Sequence, residues 1–174
     1  AQSLQIDAKG AINLANRHPR VNILTPGIGV GGHCIPIDPW FIQQVNDQNS
    51  RLINTARVIN DEMPRKIVYQ IKTATQNIDG PRIVAIGAAY KANTADIRES
   101  PSIEIVRLLR SEGYEVNHFD PLVDGMNFPT TMTDACANAD CLVILVEHES
   151  VLRELDQHEQ DILNVLGIPL ILRF

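Results

Sequence analysis

The chain is expected to be an α/β protein in which a helical segment leads into a parallel-sheet domain, and two patterns predict it. Up to about residue 79 the apolar residues recur at helical intervals, and after Gly80-Pro81 short β-rich runs alternate with helical ones. Strands separated by helices pair in parallel and are covered on their faces, a Rossmann-like arrangement. Gly80-Pro81 stops a helix and marks the boundary between expected domains 1–79 and 80–174.

Leu4, Ala8, Ala11, Ile12 and Ala15 form one stripe, so a helix is expected from Leu4 to Asn16. The chain should begin inside or beside it, as a piece of something longer would. His18-Pro19-Arg20 breaks that helix, because proline lacks the amide proton and restricts the residue before it. Val21 to Leu24 reads as a short extended segment, and Asp38-Pro39 as an N-cap with proline at the first helical position. From Arg51, residues Leu52, Ala56, Ile59, Met63, Ile67, Ile71, Ala74 and Ile78 trace one long amphipathic helix that Pro64 must kink or split. Its stripe exceeds what a small satellite domain needs and should pack between domains or against a second subunit.

In the second part the expected strands are Arg82–Ile86, Glu115–Phe119, Cys141–Val146 and Pro169–Leu172. The expected helices are Pro101–Arg110, Thr133–Asn138 and Val151–Val165. Ligands on parallel sheets lie at the carboxyl ends of strands. Polar residues therefore matter most between Gly87 and Ser100, which holds Lys91, Asn93, Asp96, Arg98 and Glu99.

A net charge of -6 gives nucleic acid and anionic membrane little to attract. No apolar run approaches a membrane span, and the first residues lack the layout of a signal peptide, so the cytoplasm is the expected compartment. The three cysteines show no zinc-type pairing and no metal site is expected; Cys136 and Cys141 read as packing residues.

Cys34 reads differently. It lies directly behind Gly27-Ile28-Gly29-Val30-Gly31-Gly32-His33 and four residues before Asp38. Glycines let backbone approach a bulky substrate, a partly exposed thiol can become a nucleophile, and a carboxylate beside it can manage water or protons. The plainer alternatives are a small buried hydrophobe for Cys34 and a helix cap for Asp38. The glycine spacing formally matches a dinucleotide fingerprint, but Pro36 and Pro39 follow at once and no long helix starts at the third glycine, which rules that reading out. Lys91 and Arg98 are either solvated charges or phosphate ligands. His33 is a general base or a mere neighbour, the latter if the backbone is extended and adjacent side chains point apart.

Four segments carry a resemblance: Arg17-His18-Pro19-Arg20-Val21-Asn22-Ile23; Pro26 to Ile42; Ala56-Arg57-Val58-Ile59-Asn60-Asp61; and Gly87 to Pro101. With them the chain resembles the nucleotide-sugar 6-dehydrogenases, the UDP-glucose/GDP-mannose dehydrogenase family, from its start to about Val146. Within that family it looks closest to the branch acting on UDP-N-acetylmannosamine.

The resemblance implies a helical dimerisation domain with the cysteine loop, forming a homodimer, followed by a UDP-sugar-binding domain. The family's N-terminal domain, with the main NAD site and an upstream catalytic lysine and asparagine, has no counterpart in this stretch. It further implies that Cys34 captures the aldehyde formed at C6 of a UDP-sugar, that NAD takes two hydrides, and that water aided by Asp38 releases the carboxylate. Gly27, Gly29, Gly31 and Gly32 would cradle substrate, and Lys91 would reach the nucleotide sugar. Arg98 would approach NAD, and His18 and Arg20 would reach the substrate of a neighbouring subunit. Tyr90 stands where phenylalanine is common, and Leu170 to Phe174 lack the closing signature of the family, so no role passes to Arg173. By itself this stretch is expected to be inactive. UDP-glucose or another UDP-N-acetylhexosamine is the rival substrate, and a non-catalytic binding or dimerisation module the rival class.

Overall fold

The structure is a computed structural model that describes residues 1, 4–126, 128–156 and 170–174. Helix α1 (Ala8–Ala15) starts later than the apolar stripe suggests because Asp7 caps it, its Oδ1 accepting from Gly10 N–H at 3.0 Å. Asn16 ends the helix. Its side chain accepts from Ile23 N–H at 2.7 Å and donates to Ile23 O at 2.9 Å, tying back a Val21–Leu24 segment that joins no sheet.

In α2 (Asp38–Val45), Asp38 is the first helical residue and makes no capping bond. The expected cap is replaced by backbone: the Cys34 carbonyl accepts from Ile37 N–H at 3.0 Å and Asp38 N–H at 2.8 Å, so the turn is already closed. Pro64 splits the expected long helix into α3 (Arg51–Asp61) and α4 (Met63–Thr75), taking the first turn of the second piece, where its missing N–H has no helical partner to lose. The stripe divides with the helix. Ile67 and Ile71 of α4 are buried, whereas Leu52 and Ile59 of α3 are exposed.

Strands β1 (Arg82–Ile86), β2 (Glu115–Phe119), β3 (Cys141–Ile144) and β4 (Ile171–Arg173) form one parallel sheet in the order β2-β1-β3-β4. In register, Ile83 stands beside Val116 on one side and Cys141 on the other. Ile83, Ala85, Cys141 and Val143 pack with Ile105, Val106 and Leu109 of α5 (Pro101–Ser111) and with Ile67, Val68 and Ile71 of α4. Val84, Ile86, Leu142 and Ile144 face the other way, onto Met132, Ala135 and Cys136 of α6 (Met132–Cys136) and onto Val151 and Leu155. Alternation along each strand thus feeds two cores, and helices cover both faces. The helix expected from Val151 to Val165 is seen through 156; its remainder, like Pro169, lies outside the described residues. Because the chain leaves β1 for β2 on one side and returns to β3 on the other, the crevice at their carboxyl ends is the natural ligand position.

Candidate functional site

The glycine loop is seated from two directions. Asn60 of α3 accepts from Val30 N–H at 2.7 Å and donates to Val30 O at 3.2 Å. On the opposite side Gly32 N–H donates to Arg98 O at 2.9 Å. A Cβ on Gly31 would lie 2.3 Å from Glu99 O and 2.9 Å from Tyr90 Cβ; Gly32 has φ +96° with the Tyr90 ring 3.0 Å from its Cβ position. Both glycines are required by close approach to the loop after β1, rather than by a visible ligand pocket. Gly29 lies against Pro101, and Gly27 meets nothing within 4 Å.

Cys34 follows in a bend and is exposed, while Cys136 and Cys141 are buried, burial pushing their thiols up to about 11 and about 12. Arg98 forms a forked pair with Asp96, Nε to Oδ1 at 2.9 Å and Nη2 to Oδ2 at 2.5 Å. That hydrogen bonding is the main reason Asp96 falls to about 2 and Arg98 is raised, with His33 adding to the first effect and Tyr90 and Cys34 to the second. Cys34 is therefore within electrostatic reach of the Arg98 guanidinium. His33 is also near enough to act on Asp96. It lies in a bend rather than extended backbone, so the argument that adjacent side chains point apart does not apply.

Lys91 is exposed, with Nζ 5.4 Å from the Tyr90 ring centroid. Gly31, Gly32, Lys91 and Arg98 thus gather around Tyr90, with Cys34 at the rim. Asp38 is exposed one turn beyond Cys34 and touches it through backbone alone. His18 and Arg20 share an exposed turn, His18 Nδ1 accepting from Arg20 N–H at 3.2 Å, and bond to none of these groups among the described residues.

Two residues escaped the sequence reading. Asp120, directly after β2, accepts from Ala88 and Ala89 N–H at 2.6 and 3.0 Å, from Leu122 N–H at 2.9 Å and from His148 Nε2 at 3.0 Å. His148, after β3, accepts at Nδ1 from Asn93 N–H at 2.9 Å. Burial alone would raise the Asp120 carboxyl, but these donors hold it down at about 2. The rule that singled out the loop after β1 applies equally to the ends of β2 and β3 and would have found both. Among the described residues no three metal-ligating side chains cluster, and no helix is long and apolar enough to cross a membrane.

Residues 1–62 match the central domain, and residues 84–166 the UDP binding domain, of the UDP-glucose/GDP-mannose dehydrogenase family. A UDP-N-acetyl-D-mannosamine dehydrogenase of Methanocaldococcus jannaschii is 45% identical over 86% of this chain and 35% of its own length. An NDP-N-acetyl-D-galactosaminuronic acid dehydrogenase of Ralstonia solanacearum is 41% identical over 83% of this chain and 36% of its own. The solved UDP-D-ManNAc dehydrogenase of Pyrococcus horikoshii superposes with a TM-score of 0.86 at 34% identity, covering 98% of this chain and 41% of that one. The chain thus spans little more than a third of these relatives. With both profiles matched in order and the parallel sheet in place, the chain belongs to the UDP-glucose/GDP-mannose dehydrogenase family.

Proposed function

We propose that this chain is the central and nucleotide-binding part, divided near residue 79, of an NAD-dependent UDP-N-acetyl-D-mannosamine 6-dehydrogenase that oxidises the sugar C6 alcohol to a carboxylate. The observation that supports it most is the exposed Cys34 beside Arg98, at the end of a glycine loop seated on the segment after β1. NAD supplies the hydride acceptor for both oxidations. The glycine loop does not fit it as a dinucleotide cradle, because no helix starts at its third glycine and α2 begins only at Asp38; Arg98 is the group on this chain suited to approach it.

The chain's own residues bind, capture and release. Lys91 and the glycine loop hold the nucleotide sugar. The Cys34 thiolate bonds to the aldehyde carbon and retains it until it is a thioester, and Asp38 takes the proton of the water that expels the thiolate. His18 and Arg20, on their own exposed turn, reach a neighbouring subunit's substrate. The exposed apolar residues Phe41, Val45, Leu52 and Ile59 of α2 and α3 form the homodimer contact. Three unpaired thiols suit a cytoplasmic setting. The Ralstonia relative favours a second reading, in which another UDP-N-acetylhexosamine is the substrate.

Calorimetric titration with UDP-N-acetylmannosamine, UDP-glucose and UDP tests the reading. Preference for the acetamido sugar is expected; absence of binding even to UDP overturns it. Cys34 should be shielded from thiol reagents by the UDP-sugar, and the chain alone should turn over no NAD.

A further inference from the structure

We infer that Asp120 and His148 are positioning residues that set the Lys91 loop in its binding conformation through a neutral, Nε2-protonated His148; the inference rests on the nucleotide-binding reading of that loop. Asp120 is 3% exposed and His148 0%, and neither touches the Cys34 rim. What they touch is the loop on either side of Lys91. Before it, Ala88 and Ala89 give their N–H groups to Asp120 Oδ2; after it, Asn93 gives its N–H to His148 Nδ1, and His148 Nε2 closes the ring by donating to the same Asp120 oxygen. One carboxylate and one imidazole thus clamp the short span that carries Tyr90 and Lys91.

The tautomer follows from the partners. Nδ1 faces a backbone donor and must be unprotonated, while Nε2 faces a carboxylate and must carry the proton. The held conformation places Asn93 in the left-handed region, φ +59°, which asparagine tolerates better than most residues, and its side-chain oxygen accepts from Glu149 N–H at 3.0 Å. Stability alone would be served as well by apolar side chains, since a buried polar pair gives up its hydration. The network's distinctive product is a single loop shape in which Lys91 lies over Tyr90 and the backbone of Tyr90 closes on Asp96 O at 2.9 Å.

The test separates the two bonds of His148. His148→Asn keeps an acceptor near the Nδ1 position for Asn93 and loses the reach to Asp120; His148→Gln keeps the donor toward Asp120 and loses Asn93. Titrated with UDP, His148→Gln is expected to bind about tenfold more weakly, the worth of one preorganising hydrogen bond, and His148→Asn, which keeps the bond to Asn93 but releases Asp120, to lose affinity by a smaller factor. The Asn93 amide should exchange faster with solvent in the Gln variant only, and nitrogen-15 NMR of the parent should show the Nε2-protonated ring. Affinity losses that rank with the unfolding midpoints instead, or a ring protonated at Nδ1, overturn the inference. If the parent chain binds no UDP, the nucleotide-site reading fails, and Asn93 exchange together with the tautomer still decides whether His148 sets the loop.

Discussion

Asn60 holds both backbone groups of Val30, accepting from its N–H at 2.7 Å and donating to its carbonyl at 3.2 Å across a separation of 30 residues. A single amide side chain on α3 thereby does for the glycine loop what a neighbouring strand does for an edge. The loop leading to Cys34 is positioned by a helix and by the segment after β1 at once.

Asn60→Ala removes both bonds at a partly exposed site, and a loss of about 1 kcal/mol is expected in urea denaturation. Shielding of Cys34 by UDP-sugar should also weaken, because the loop is then held from one side only. Unchanged stability and unchanged shielding would show that Val30 needs no anchor.

Gly31→Ala should be far more costly than Gly27→Ala. The first places a methyl 2.3 Å from Glu99 O, whereas the second meets nothing within 4 Å. A difference of about 2 kcal/mol in unfolding free energy is expected. Equal effects would mean that the loop shifts freely off the Tyr90 segment.

Native protein treated with an alkylating reagent near neutral pH should gain one adduct, at Cys34, by mass spectrometry. Cys136 and Cys141 are buried and their thiols are pushed up to about 11 and 12, so they should react only after unfolding. Two or three adducts at short times would contradict the packing of α6 and β3.

Burial raises the Asp120 carboxyl, but the hydrogen bonds from His148, Leu122, Ala88 and Ala89 outweigh it and hold it at about 2, below its ordinary 3.8. A depressed carboxyl stabilises the fold above its unfolded value and loses that contribution as pH falls through the folded one. Stability should drop by on the order of 2 kcal/mol between about pH 4 and pH 2. Asp120→Asn should flatten that part of the profile. Asp96 falls in the same range but pairs with an exposed arginine, and its share is screened.

Val45 and Leu52 are 83% and 82% exposed. Changing both to Asp should leave the unfolding free energy within about 0.5 kcal/mol, and light scattering is expected to give a dimeric mass for the parent and a monomeric one for the variant. A monomeric parent at micromolar concentration would sink the homodimer proposal.

The first three strands were legible because each is a β-rich run bounded by turn residues, and β1 and β2 occupy the stretches the pattern marks. Pro64 announced the break between α3 and α4. Helix ends were less legible: Asp7, not the apolar stripe, starts α1, and a backbone turn at Cys34, not Asp38, starts α2. A cap depends on one side chain finding one N–H, which periodicity does not report.

Composition, period and local motifs determined by themselves that this chain makes a parallel α/β sheet preceded by helices, and they singled out Cys34 behind its glycine loop, with Lys91 and Arg98 after the first strand, as the residues to test for chemistry. These are properties of short windows, where spacing alone decides which side chains share a face. Only the tertiary structure decided that Gly31 and Gly32 are glycine to admit Tyr90, that Asn60 anchors Val30, and that Asp120 and His148 clamp the Lys91 loop. Asp120 and His148 meet the Lys91 loop because parallel strands bring their carboxyl ends to one edge, whereas Val30, Gly31 and Gly32 find their partners where the glycine loop packs between α3 and the segment after β1.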